Sequence, residues 1–125
     1  MRTIKFRAWE GRVEGFTYFG LSEVPEWVKY ADATLIQEFT GLLSKTGQEI
    51  YEGDILATTF SRTTKLKKKR TVHNHLIEWN KRRGQWFGQN MSLWKLTAAS
   101  EVVGNRFETA NLLSQEKLPT PPKEV

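Results

Sequence analysis

Hydrophobic and polar residues alternate strictly at the start of the chain. Over residues 2–9, Ile4, Phe6 and Ala8 fall on one face of an extended backbone, and Lys5, Arg7 and Trp9 on the other. A period of two predicts a half-buried strand. Gly11 and Gly15 interrupt the pattern, and Phe16–Phe19 predicts a second strand. The period then changes. Trp27, Val28 and Ala31 share a helical face, Ser22 is suited to cap it, and Pro25 is tolerated in a first turn, so Ser22–Ala31 predicts a short helix. Strand patterning returns at Leu35–Phe39, Ile55–Phe60, Val72–Trp79, Gln85–Phe87 and Ser100–Phe107, the last interrupted by Gly104. Within Val72–Trp79 both faces are mixed, which leaves its inward side open. Glu108–Gln115 predicts a helical turn.

Between these strands the segment "TGLLSKTGQEIYEGDIL", residues 40–56, holds two tight reversals. Thr46-Gly47 and Gly53 supply the positive backbone angle that such turns demand. Asp54 can accept hydrogen bonds from neighbouring amides. Ile50 and Ile55 flank the second reversal as core residues. Closely spaced strands with such corners predict a mainly β fold, a small barrel or sandwich.

A length of 125 residues favours one domain, and the 12% of aromatic residues makes a small core feasible. Cysteine is absent, which excludes disulfides and thiolate metal sites. No apolar run approaches a membrane span of about 18 residues, and the first residues lack a signal-peptide core. A soluble cytoplasmic protein with no membrane partner is expected. The net charge is +5, but its distribution matters more. Residues 1–60 carry 6 basic and 9 acidic side chains, residues 61–95 carry 10 and 1, and residues 96–125 carry 3 and 4. The basicity sits in one central block.

Three blocks carry a family resemblance. "RTIKFRAWE" at 2–10, "LIQEFTGLLSKTGQEIYEGDIL" at 35–56 and "SEVVGNRFETANLL" at 100–113 resemble, in order and in glycine placement, the opening strand, central signature and closing block of the YopX family of small phage and prophage proteins. The resemblance implies a mostly β protein with an N-terminal α+β portion, a short helix and an SH3-like β-barrel, able to form homo-oligomers. It brings no assigned activity and no catalytic residues, and it implies a bacterial host cytoplasm. On this basis residues 1–116 form one domain, with 1–40 the α+β portion and 41–116 the barrel portion, which includes a basic hairpin at 61–75. Residues 117–125, Pro-rich and polar, form a loose tail. The chain departs from the family pattern in a short segment before the signature and an unusually basic Ser61–His75 region.

Candidate chemistry is sparse. Glu49, Glu52 and Asp54 could pair for acid–base work or hold a cation, but turn chemistry already accounts for Gly53 and Asp54. His73 and His75 share one side of a strand, as metal ligands would, with no third ligand indicated nearby. There is no Gly-x-Ser-x-Gly and no phosphate-binding glycine loop, so neither an enzyme nor a cofactor or metal is expected. The strongest feature is "RTTKLKKKRT" at 62–71, which reads as the tip of an extended hairpin. Arg62, Lys65, Lys67, Lys68, Lys69 and Arg70 would neutralise phosphates. Lys81, Arg82, Arg83 and Trp86 extend the candidate site, the ring by stacking on bases. The expectation is a non-enzymatic accessory protein that binds DNA or RNA. The alternative is a module that binds a host or phage protein, for example against host defence, through the same basic hairpin.

Overall fold

The computed structural model describes residues 3–63, 65–66, 68–88 and 91–110, with residues 60–63, 68–71 and 98 described by their backbone alone. Among the described residues nine strands form two antiparallel sheets. In the first, β1 (Lys5–Trp9) lies between β2 (Phe16–Gly20) and β3 (Ile36–Leu43), and β4 (Glu49–Tyr51) completes the order β2-β1-β3-β4. Phe6 faces Phe19 across β1 and β2, with ring centres 5.7 Å apart. The second sheet has the order β8-β7-β6-β5-β9. Its strands are β5 (Asp54–Thr63), β6 (Lys68–Asn80), β7 (Gln85–Gly88), β8 (Met91–Ser92) and β9 (Ser100–Asn105). One α-helical turn, α1 (Leu93–Leu96), comes after β8.

The sheets share a core. Ile50 from the first packs with Leu56 and Ile77 from the second and with Leu93 and Leu96 of α1; Leu42, Trp86 and Val102 close around them. The side of β6 that carries Ile77 is therefore its inward side. Strand pairing leaves two sheets, and among the described residues no ladder closes them into a barrel.

The two reversals are as the turn chemistry requires. Gly47 has φ +90° and Gly53 φ +84°. Gly53 also joins the sheets: its N–H donates to Ile77 O at 2.8 Å, and its carbonyl accepts from Arg106 N at 2.9 Å. A Cβ at Gly53 would crowd the Gln37 side-chain amide, with Gln37 Cδ 2.9 Å away. The irregularity at Gly104 is a bulge. Ile55 pairs with Gly104 and Leu56 with Val102, so Val103 is the extra residue.

The predicted helix at Ser22–Ala31 is a 3-10 turn over Glu26–Tyr30, with another over Ala33–Leu35. Pro25, extended at φ −60° and ψ 147°, takes the cap position in place of Ser22. Nucleating an α-helix fixes several dihedrals for one hydrogen bond, and so short a segment does not recover that cost. The second turn is capped by Asp32, whose carboxylate accepts from Thr34 N at 2.9 Å and from the Thr34 hydroxyl at 2.8 Å. Among the described residues of the expected α+β portion the helical elements are thus 3-10 turns. The first sheet also runs past residue 40 to Tyr51, so the sheets divide at Gly53. The helical turn expected over Glu108–Gln115 is described only in its first residues. There the Asn105 side chain accepts from Phe107 N and Glu108 N at 2.9 and 3.1 Å. Residues 111–125, and with them the tail, lie outside the described residues.

Candidate nucleic-acid interface

β6 organises the basic block. Its ladder with β5 runs unbroken from Ile55 opposite Leu76 to Thr63 opposite Lys68. Arg62 is therefore the cross-strand partner of Lys69, and Ser61 of Arg70. Much of the segment read as a hairpin tip is strand, as far as Thr63 on β5 and from Lys68 on β6. Lys65 and Leu66, between those strands, are exposed. Lys67 lies outside the described residues, as do the side chains of Arg62, Lys68, Lys69 and Arg70.

At the other end of β6, Lys81–Gly84 forms the turn into β7. Gly84, at φ +65°, donates its N–H to Asn80 O at 2.8 Å, and the Asn80 side chain accepts from Arg83 N at 3.0 Å. That closure holds Lys81, Arg82 and Arg83 out in solvent. At about 3.3 Å per residue, the length of β6 puts roughly 40 Å between this turn and the hairpin. The described candidate residues therefore fall at two ends of β6, with Arg62, Lys65 and Lys68–Arg70 at one and Lys81–Arg83 with Trp86 at the other.

Trp86 is not a free platform. It is half-buried, packs on the shared core and faces its cross-strand partner Trp79 edge-on, with centres 5.1 Å apart at 74°. The two line a cleft of about 720 Å³ between the sheets, with Phe39, Leu42, Leu93 and Trp94. Trp79 is 48% exposed and Trp94 62%. On the cleft's far wall Lys5 is paired with Glu49. A second hollow of about 610 Å³ takes in Arg82, Arg83, Phe87, Ser92 and Lys95 and, among the described residues, no carboxylate. The Arg83 guanidinium lies 5.7 Å from the Phe87 ring centre. Sequence reasoning passed over Lys95; its position beside Trp94 was the available signal.

Two carboxylates of "EIYEGD", those of Asp54 and Glu49, do turn and packing work. Asp54 accepts from Tyr51 N at 2.7 Å, as a turn aspartate does. Its other oxygen accepts from Arg7 Nη2 at 2.7 Å, and Arg7 Nε donates to Gln37 Oε1 at 2.7 Å. The guanidinium lies between the rings of Phe16 and Tyr51, 4.1 and 4.8 Å from their centres. Burial pushes the Asp54 carboxyl above its ordinary value, while Arg7 and the Tyr51 amide pull the other way. The Tyr51 hydroxyl donates to Glu49 Oε1 at 3.2 Å; burial and that carboxylate push the phenol well up. Periodicity alone could not find Arg7, because a strand pattern assigns a charged residue to water.

His73 and His75 have ring centres 6.5 Å apart, and His75 Nε2 lies 3.0 Å from the Thr58 hydroxyl. Among the described residues no group of three His, Asp or Glu side chains is placed to hold a metal. No helix described is long and apolar enough to cross a membrane.

A sequence model of the YopX protein family matches residues 17–114. No curated protein sequence matches the chain. Among solved structures the fold is similar to the crystal structure of protein EF1440 from Enterococcus faecalis. That match has a TM-score of 0.52 and 22% identity, and covers 90% of this chain and 99% of the other.

Proposed function

The chain belongs to the YopX family, and from that premise we propose that it is a non-enzymatic accessory protein, of phage or prophage type, that acts by binding nucleic acid. The observation that carries this is the concentration of ten basic residues and one acidic residue in residues 61–95. That segment supplies the hairpin, all of β6, the Lys81–Gly84 turn and most of α1. Like charges directly opposite one another weaken a ladder, yet Arg62 faces Lys69. A hairpin serving only the fold gains nothing from that arrangement, whereas a polyanion-binding arm does. Such a local field reaches several kT and steers a polyanion toward it.

Fluorescence anisotropy with labelled duplex DNA, single-stranded DNA and RNA tests the proposal. If four to six side chains meet phosphates, log K falls against log salt with a slope of about −3 to −5. Sequence preference is weak, because lysine positions a backbone without reading bases. Lack of binding to all three at low salt rejects the proposal. One observation favours a protein partner instead: Leu66 is 93% exposed at the hairpin connection, an apolar tip amid cations. An acidic partner with an apolar socket would engage that tip, and Leu66→Ser would then disrupt capture where salt alone does not.

A further inference from the structure

The cleft and the cationic hollow are neighbours built from alternate residues of the same elements. Trp86 lines the first and Phe87 the second, so they lie on opposite faces of β7. Gly84 lines one and Arg83 the other; Trp94 lines one and Lys95 the other. The two hollows lie to either side of an edge formed by Trp94 and Lys95 of α1. There Lys95 Nζ lies 5.6 Å from the Trp94 ring centre.

The chemistry of the two sides is complementary to one kind of ligand. Arg82, Arg83 and Lys95, with the Ser92 hydroxyl, offer donors and positive charge with no carboxylate among them, which suits a phosphate. Trp94, mostly exposed, and the open part of Trp79 offer aromatic faces, which suit a planar base. The bases of a duplex are stacked inside it and cannot reach such faces. An unpaired strand can turn round the edge, its phosphates on one side and a base on the other. Burial of Leu93 and Leu96 anchors α1, so the platform is held by packing that does not need the Trp94 ring.

We propose that this edge is a seat for unpaired nucleic acid, with phosphate held by Arg82, Arg83 and Lys95 and a base stacked on Trp94, Trp79 being the second aromatic face. The proposal rests on the nucleic-acid function above and names its single-strand site.

The test uses the full chain with labelled oligothymidylate and oligouridylate of about 12 nucleotides, within the footprint of stacking sites, and a duplex of the same length. The single strands should quench tryptophan fluorescence. Trp94→Ala should weaken their binding by about 5- to 150-fold, as the loss of one stacked base predicts, with duplex affinity unchanged. Trp94→Phe should restore most of the loss. Arg82→Glu with Arg83→Glu should weaken single strands and lower their salt slope, while Lys29→Glu, on the 3-10 turn Glu26–Tyr30 and in the lining of neither hollow, should do neither. If single strands bind but Trp94→Ala leaves them untouched, the seat is wrong and the broader function stands. If Trp94→Ala weakens single strand and duplex alike, the effect is not base stacking and the seat is equally wrong. If neither single strands nor duplex bind the parent protein, the broader function fails and takes the seat with it.

Discussion

Arg7 and Asp54 form a buried ion pair between the two sheets, Nη2 to Oδ1 at 2.7 Å, from strands 47 residues apart in sequence. Both side chains are more than nine-tenths covered. Arg7 lies on β1 and Asp54 opens β5, so the pair ties the middle of the first sheet to the corner where the second begins. Gln37 and the aromatic rings of Phe16 and Tyr51 hold the guanidinium flat. Replacing a buried pair with apolar residues can be neutral, but removing one partner strands a charge. Arg7→Met should therefore cost about 3–5 kcal/mol in urea unfolding. A loss below about 1 kcal/mol would mean that water reaches Asp54 and the corner is held by its backbone bonds.

Gly47 and Gly53, both at positive φ, should respond differently. At Gly47 a Cβ meets no atom of the described residues within 4 Å, so Gly47→Ala carries only the backbone strain, on the order of 1 kcal/mol. At Gly53 the same strain applies, and the new Cβ must also displace Gln37, which accepts from Arg7. A hydrogen bond to a charged group is worth about 1.5–3 kcal/mol. Gly53→Ala should cost at least about 1 kcal/mol more than Gly47→Ala, with Gly53→Val worse still. Equal midpoints for the two alanine variants in chemical denaturation would show that Gln37 moves aside freely.

Those glycines were legible because turn chemistry is local: Thr46-Gly47 and Glu52-Gly53-Asp54 specify their own backbone. Asp54 as an amide acceptor was legible for the same reason. Its ion pair with Arg7 was not, since nothing in "KFRAW" marks Arg7 as buried while its partner lies far along the chain. The strand pattern of "VHNHLIEW" also left the inward side open; packing of Ile77 against Leu93 and Leu96 decides it, and α1 was not foreseen. Most consequential was Lys68–Arg70. A run of cations looks like a loop, but the ladder with Ser61–Thr63 continues through it. β6 lengthens accordingly, and the candidate residues grouped together from the sequence fall at its two ends.

Alkaline stability should depend on Tyr51. Its folded-state value lies above the ordinary 10.0, because burial and the Glu49 carboxylate oppose the phenolate. A raised value means that the folded state holds the proton more tightly. The stability it contributes is fully present below about pH 10 and is lost as pH rises toward the folded value. Unfolding free energy should fall with pH above about 10 more steeply in the parent than in Tyr51→Phe, which has no proton to lose there. Parallel curves from urea titrations at pH 9 to 11 would place Tyr51 in contact with water.

The separation along β6 gives a prediction about both basic clusters. The two clusters stand roughly 40 Å apart, so the charges at one end can be reversed without disturbing the other. Reversing Lys67, Lys68, Lys69 and Arg70 to Glu should lower affinity for a long single strand, and so should reversing Lys81, Arg82 and Arg83. The combined variant should bind more weakly than either. Strand length supplies the second arm of the experiment. An oligomer of about 5 nucleotides can touch one cluster, so the hairpin reversal should leave binding at the turn intact. A strand of about 30 nucleotides can engage both ends of β6, and the second contact is then intramolecular, which raises affinity well beyond either site alone. Anisotropy across a length series should show that rise in the parent protein and its loss in either reversal. If affinity grows smoothly with length in all three proteins, or the combined variant loses no more than the hairpin variant, nucleic acid contacts one end of β6 only.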